Sequence, residues 1–289
     1  MFRFQKLVPL FFLLSLLLLF YSCIGDSSVA GGAGAGNPVV LTMSVKGDRG
    51  IDGGVGKTAA LHSQTNEEIF IEGFDRRRID IFGAYILVNQ FRFPLPTDAG
   101  EKHLRSPLYA SGNEIVLPGP YTFDLLNGNS ISDVNFSLPH GTYDYLVAQI
   151  EPVDSGKIDT LVHRVTKGYQ IALHGEINYE GILRTIFFYI YSDTAVFIHP
   201  PEGDSISLDG SETVELVIEL DEKQWLEGIS IKSIVENGLM QTDEDGNFYF
   251  IGDPSRGGPS NRKAEQIRKR ILDNITRSGV LIQRAYEGG

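Results

Sequence analysis

Apolar side chains recur at every second position in many segments of this chain. In Ile79–Phe93 the odd positions are mostly apolar or aromatic, and in Val214–Leu220 four aliphatic side chains share one face. This period is typical of half-buried β-strands, because successive side chains of a strand point to opposite faces. The same pattern predicts strands at Val39–Val45, Glu114–Leu117, Tyr121–Leu126, Asp133–Leu138, Tyr143–Val153, Ile158–Val165, Tyr169–Asn178 and Phe248–Ile251.

The segment Arg184–Tyr191 is apolar on both faces, as expected of a central strand that is covered on each side. Pro-Gly, Asn-Gly, His-Gly, Glu-Gly and Asp-Gly pairs separate the predicted strands and favour tight turns. We therefore expect an all-β fold, an antiparallel β-sandwich with Greek-key connections of the immunoglobulin-like or transthyretin-like kind.

One helix is predicted near the end of the chain, from Asn261 to about Arg277. Ser260 is its expected N-cap, and Gly279 is placed to end it in a left-handed conformation. Its apolar stripe would pack on the sandwich and consists of Ala264, Ile267, Ile271, Leu272 and Ile275. Its other face is mostly basic, which is typical of a solvated helix but also fits contact with a membrane or an acidic partner.

The first residues of the chain predict a secretion signal. Residues 1–6 carry two positive charges and no acidic group, and Leu7–Tyr21 is almost entirely apolar. A spanning helix needs about 20 apolar residues, so this run is too short to cross a bilayer.

The signal ends in Phe20-Tyr-Ser-Cys23, which resembles the lipobox of bacterial lipoproteins. The resemblance implies that residues 1–22 are removed and that Cys23 is acylated, which anchors the protein in a membrane. Cys23 is the single cysteine of the chain and forms no intramolecular disulfide. Ile24 follows it where some bacteria read an aspartate as an inner-membrane signal, so we expect the outer membrane. The alternative is an ordinary signal cut near Ala30.

The rest of the chain falls into two segments of different amino-acid composition. Residues 23–37 are rich in Gly and Ala and are predicted to be a flexible tether. Residues 38–289 are predicted to form the sandwich, as one unit or as two subdomains that meet near 155–200. The formal charge of −12 becomes −14 after processing, with 23 basic and 37 acidic residues. Such a surface disfavours nucleic acid as a partner.

Three segments resemble a family of bacterial lipoprotein domains of unknown function. They are Ile79–Phe93, then Tyr121-Thr-Phe-Asp-Leu-Leu-Asn-Gly128, then Phe136-Ser-Leu-Pro-His-Gly-Thr-Tyr143. The family has an aliphatic residue where Phe123 precedes Asp124, and a Leu-Pro-x-Gly-x-Tyr turn that enters the next strand. The resemblance covers about a quarter of the chain and implies a lipid-anchored β-sandwich with no established catalytic residues.

A glycine-rich segment, Asp52-Gly-Gly-Val-Gly-Lys-Thr58, resembles a phosphate-binding loop. Ile51 replaces the first glycine of that pattern, and no helix long enough to complete it follows. No alternation of strands and helices supplies the parallel sheet that such loops require. We expect a glycine-rich loop here and no nucleotide ligand.

Metal ligation has one weak candidate. The acidic segment Thr242–Phe248 suggests calcium, with Asp243, Asp245 and Asn247 as ligands, but a β-turn on Asp245-Gly246 explains it without an ion. The six histidines are scattered and lack the i, i+4 spacing of a helical zinc site. No cofactor is expected otherwise.

The sequence contains no clear catalytic motif. The Gly-x-Ser-x-Gly elbow is absent from the sequence, and acylation of Cys23 leaves no cysteine nucleophile. Trp225 suggests a carbohydrate platform, although a single Trp in a sandwich is more often core. We therefore expect a non-catalytic, lipid-anchored envelope protein that binds an unidentified protein or glycan. The alternative is an envelope hydrolase that acts on saccharide or ester substrates.

Overall fold

The computed structural model describes residues 36–45, 69–72, 78–97, 104–126, 129–130 and 134–286, except for 155, 157, 159, 203, 211 and 260. Cys23, residues 24–35 of the predicted tether, the glycine-rich segment 52–58, His62 and His103 lie outside these ranges. The predicted end of the tether at residue 37 is wrong, because Asn37 is buried and begins the first strand. Strands make up 50% of the described residues and helices 17%, so the predicted β fold is confirmed at that level.

A smaller sheet consists of four strands: β1 (Asn37–Val45), β7 (Asn135–Leu138), β14 (Val214–Leu220) and β17 (Gly279–Ala285). Their order across the sheet is β17-β14-β1-β7. β1 and β14 are parallel, whereas the other two pairs are antiparallel. Strict alternation of buried and half-buried side chains along β1 matches its predicted period of two.

A larger sheet of eleven strands has the path β12-β9-β3-β10-β11-β16-β15, with four more strands paired to β3 or β5. The strands on the path are β3 (Arg78–Pro94), β9 (Leu146–Ile150), β10 (Ile171–Tyr179), β11 (Ile182–Ile190), β12 (Thr194–Ile198), β15 (Gln241–Thr242) and β16 (Phe248–Ile251). The four others are β2 (Ile69–Glu72), β4 (Tyr109–Ser111), β5 (Glu114–Asp124) and β6 (Asn129–Ser130). β8 (Gly141–Tyr143) and β13 (Ile206–Leu208) form a separate pair.

The two main sheets share one hydrophobic core, which is consistent with a β-sandwich. Phe93 of the larger sheet and Phe136 of the smaller sheet meet there, with ring centroids 5.5 Å apart. The expectation of purely antiparallel sheets is wrong at two pairs, because β1 with β14 and β11 with β16 are parallel.

Three helices lie among the described residues: α1 (Thr160–Thr166), α2 (Ile231–Glu236) and α3 (Arg262–Arg277). Short 3-10 turns lie at Glu222–Gln224 and Pro254–Arg256. α1 replaces the strand predicted at Ile158–Val165, where β-branched residues suggested a strand although Val162 and Thr166, four positions apart, are both buried. α2 was not predicted.

The C-terminal helix is confirmed, but both of its predicted caps are wrong. Asn261, not Ser260, is the N-cap, and its side chain accepts the backbone N–H of Ala264 at 2.9 Å. Ser278 is the C-cap in a right-handed conformation, and Gly279 begins β17 instead of ending the helix in a left-handed one.

Candidate functional site

The outer face of the larger sheet carries aromatic side chains where its central strands lie side by side. Along β11, Phe188 points into the core, whereas Phe187 and Tyr189 point outward and pack with a second cluster. The same alternation places His174 of β10 and Tyr249 of β16 on the outer face. The segment 184–191 was predicted to be covered on both sides. Its inner side chains lie in the core, whereas its outer side chains form the second cluster with rings of the neighbouring strands.

Strand register aligns these side chains in two rows across the sheet. His174 is paired with Phe187, and Phe187 with Tyr249, so the three are direct cross-strand neighbours. The ring centroids are 5.1 Å apart for the first pair and 4.8 Å for the second, which is stacked at 15°. The second row consists of Tyr85, Ala172, Tyr189 and Ile251. We call these two rows, together with Phe82, the aromatic face.

A β-bulge brings Phe82 into this face. The register between β3 and β10 shifts at His174/Gly175: His174 is paired with Gly83 and Gly175 with Ile81. Phe82 is therefore the extra residue of the bulge. Phe82 is 56% exposed, and its ring centroid lies 6.3 Å from that of His174. A Cβ on Gly83 would approach His174 Nδ1 to 3.2 Å, so glycine here leaves room for the imidazole.

His174 is the polar group at the centre of the face. Burial lowers its pKa, an effect strengthened by Lys167 and partly offset by a hydrogen bond to the backbone of Val165 in α1. Its Nε2 is buried and has no hydrogen-bond partner among the described residues. The ring is thus neutral at physiological pH, and its Nε2 is shielded from solvent.

The tyrosines of the face are likewise uncharged. Burial, with smaller contributions from Tyr249 and Tyr169, raises the pKa of Tyr189 to about 12. Tyr169 stacks on Tyr189 with centroids 5.5 Å apart, and the guanidinium of Arg256 lies over Tyr169 at 5.1 Å. This end of the face is closed, whereas the end at Phe82 is open.

Polar groups border the aromatic rows on two sides. Asp80, Glu176 and Thr185 form the next cross-strand row, and all three are half-buried on the outer face. A cavity of about 460 Å³ lies at another edge of the aromatic face. Tyr191 and Ile251 line this cavity and also pack with the second cluster. Its polar lining residues are Asp253, Asn261, Arg262, Glu265 and Arg268.

The candidate calcium residues lie in the hairpin turn between β15 and β16, next to the aromatic face. Asp243 Oδ1 accepts the backbone N–H groups of Asp245 at 3.0 Å and Asn247 at 2.9 Å. Its Oδ2 accepts the side-chain amide of Asn247 at 3.0 Å and the hydroxyl of Tyr249 at 2.9 Å. The hydrogen bonds from Asn247, the strongest cause, lower the pKa of the Asp243 carboxyl.

Asp243 therefore holds the turn and fixes Tyr249, as the β-turn interpretation requires. Gly246, whose φ is +80°, donates to the Asp243 carbonyl at 3.0 Å and closes the turn. Within the described residues, no group of three or more His, Cys, Asp or Glu side chains is placed to hold a metal ion.

Two other sequence candidates are placed by the structure. Trp225 is fully buried in the core, where its Nε1 donates to Ser278 Oγ at 3.3 Å, so it is not a carbohydrate platform. The basic face of α3 is exposed along a groove beside α2.

No protein-family model matches the chain, and comparisons with curated protein sequences and with solved structures found no match. None of the helices in the described ranges is long and apolar enough to cross a membrane.

The aromatic face combines flat apolar rings with neutral and acidic hydrogen-bonding groups. Rings of this kind pack against apolar surfaces of a ligand, while Glu176 and the cavity supply polar groups at the border. Sequence reasoning missed this site. The pattern that could have indicated it is the run of aromatic residues at alternate positions 187, 189 and 191. From that run the sequence predicted only a strand covered on both faces.

Proposed function

We propose that this chain is a lipid-anchored, non-catalytic protein of the cell envelope that binds a glycan on its aromatic face. The observation that carries the proposal is the row His174–Phe187–Tyr249, three directly paired rings on the outside of a sheet. A pyranose ring has an apolar side of C–H groups and an edge of hydroxyls. Aromatic rings bordered by hydrogen-bonding groups offer contacts to both.

The uncharged state of the face supports a glycan over an ionic ligand. The lowered pKa of His174 and the raised pKa of Tyr189 leave the two rows neutral at pH 7. The acidic group Glu176 at the border would accept hydrogen bonds from hydroxyls, as sugars require.

A protein partner is the other ligand class open to a binding protein. A specific protein interface buries about 800 Å² on each side, with large apolar anchors at its centre. The central rings here are half-buried, and Phe82 alone among them is strongly exposed. This favours a narrow chain ligand lying along the sheet.

Attachment through Cys23 and a tether that ends where β1 begins at Asn37 completes the proposal. The acyl chains would hold the protein on a membrane, for which we propose the outer membrane, and the tether would let the sandwich reach a glycan. We further propose the immunoglobulin-like or transthyretin-like Greek-key connectivity for the sandwich, supported by the single core between its sheets.

An envelope hydrolase is the second candidate, because Asp253 and Glu265 line the same cavity and paired carboxylates are the groups that cleave glycosidic bonds. Asp253 Oδ1 already accepts the N–H of Ser255 at 2.9 Å and its hydroxyl at 2.7 Å. Asp253 Oδ2 is paired with Arg256 at 3.7 Å. These bonds fit a carboxylate that holds the loop, and so favour binding without cleavage.

The two candidates are separated by screening the purified chain against an oligosaccharide array of neutral and acidic glycans and then incubating it with the glycans retained. The proposal expects retention and an unchanged glycan by mass spectrometry. Shortened products that disappear in Glu265→Gln would establish the hydrolase instead, and retention of protein ligands alone would contradict the glycan proposal.

A further inference from the structure

A second concave surface lies between α2 and α3, apart from the aromatic face. It encloses about 930 Å³ and has an apolar base of Ile229, Ile234 and Ile267. Four cations line it, Lys263, Lys269, Arg270 and Arg277, with Asp273 as its single carboxylate. We call this surface the helical groove.

Its charge is opposite to that of the chain. The whole sequence has a formal charge of −12, whereas α3 carries six basic and two acidic residues. Within the described part of the chain, none of the four groove cations is within ion-pairing distance of a carboxylate. Their charge is therefore available to an external anion.

The cations follow the helix at a regular spacing. Lys263, Arg270 and Arg277 are seven positions apart, which places them on one side of α3 at intervals of about 10 Å. Arg277 is held by hydrogen bonds from its Nε to the Asp273 carbonyl at 3.2 Å and from Nη2 to Asn274 Oδ1 at 3.0 Å. A Cβ on Gly228 would lie 3.6 Å from Arg270 Nη1, so that guanidinium lies across the opposite wall.

We propose that the helical groove binds a stretch of anionic polysaccharide, with about every second acidic sugar against one of Lys263, Arg270 and Arg277. A single small anion would meet one of these cations, whereas a chain with a charge on each unit meets all three. Ile267, the half-buried part of the apolar base, and the groove's Ser233, Gln266 and Thr276 suit sugar rings and hydroxyls.

The test uses polygalacturonate, which carries one carboxylate per sugar, and the double variant Lys263→Gln/Arg270→Gln. Both side chains are exposed, so we expect an unchanged melting temperature and at least tenfold weaker binding in low salt. Arg105→Gln/Arg164→Gln removes the same charge from exposed positions elsewhere and is expected to change the affinity less than twofold. Phe197→Ala removes an exposed ring of β12 that belongs to neither surface, and is expected to leave this binding unchanged.

Three results would overturn the inference. They are no detectable binding of polygalacturonate by the unaltered chain in low salt, equal losses in the two double variants, or binding to vesicles of phosphatidylglycerol without binding to the polymer. Wild-type affinity is also expected to fall as salt rises, because exposed charges are screened within about 10 Å at 0.1 M.

Discussion

His174 lies directly opposite Phe187 across the β10–β11 pair, with their rings at 72° and their centroids 5.1 Å apart. This edge-on contact places an imidazole in the middle of an aromatic surface, where water reaches it poorly. The chemistry proposed for the face depends on that ring being neutral and on its packing against Phe187.

The first prediction concerns stability at acidic pH. Burial holds the pKa of His174 below its ordinary value of 6.5, so below pH 6.5 the unfolded chain binds a proton that the folded chain does not. Stability contributed by neutral His174 is therefore lost as pH falls from 6.5 towards the lowered pKa. Urea denaturation at pH 7.5 and 5.5 should show a smaller loss of unfolding free energy in His174→Phe than in the unaltered chain. Equal losses would show that His174 does not contribute.

The second prediction concerns the turn that fixes Tyr249. Asp243→Ala removes the acceptor of four hydrogen bonds and should lower the unfolding free energy. Because Tyr249 loses its anchor, glycan affinity should also fall, by about threefold to tenfold. Asp245→Ala is the control, since that side chain is exposed, and should change neither quantity. If added calcium stabilised the unaltered chain and not Asp243→Ala, the turn would be a metal site after all.

The third prediction concerns a buried amide that joins α3 to the core. Asn274 Nδ2 donates to the carbonyls of Trp225 at 3.2 Å and Glu227 at 2.9 Å. Asn274→Ala leaves buried acceptors without partners and should cost about 2–3 kcal/mol. Asn237→Ala, which removes an exposed hydrogen bond to Ser233, should cost less than 1 kcal/mol. Similar losses of stability in thermal or urea unfolding would argue against this role of Asn274.

The fourth prediction concerns the anchor. Cys23→Ser should abolish incorporation of labelled palmitate and release the protein from the membrane fraction, because serine cannot take the thioether-linked lipid. Ser22→Ala keeps the cysteine and a small residue before it, and should still be labelled. Membrane sedimentation and labelling of Cys23→Ser at the original level would contradict the lipoprotein proposal.

Much of the fold follows from local patterns. Period two located β1, β3 and β14, because each has one side in the core. It failed at α1, whose β-branched residues are typical of strands, and at β17, which begins directly after a helix predicted to end in a glycine turn. The parallel pairing of β1 with β14 joins segments about 170 positions apart, a contact that local patterns do not encode.

The aromatic face could not be predicted for a related reason. Alternation shows that Phe187 and Tyr189 share one side of a strand, but not which residue of the next strand lies opposite. The row with His174 and Tyr249 depends on register between three strands, and the exposure of Phe82 depends on a bulge. Trp225 was a wrong candidate for the same reason. The sequence shows that it is the single Trp of the chain, but not that it lies in the core.

The most direct test of the glycan proposal is isothermal titration of the glycan best retained on the array against three chains: the unaltered protein, Phe187→Ala/Tyr249→Ala, and Phe197→Ala. Phe197 is a matched control because it is an aromatic side chain 58% exposed on β12, outside the aromatic face. Loss of two stacked rings is expected to weaken binding at least tenfold, at about 1 kcal/mol for each ring, while Phe197→Ala binds as the unaltered chain does. Undiminished affinity in a folded Phe187→Ala/Tyr249→Ala, or an equal loss in Phe197→Ala, would contradict the account.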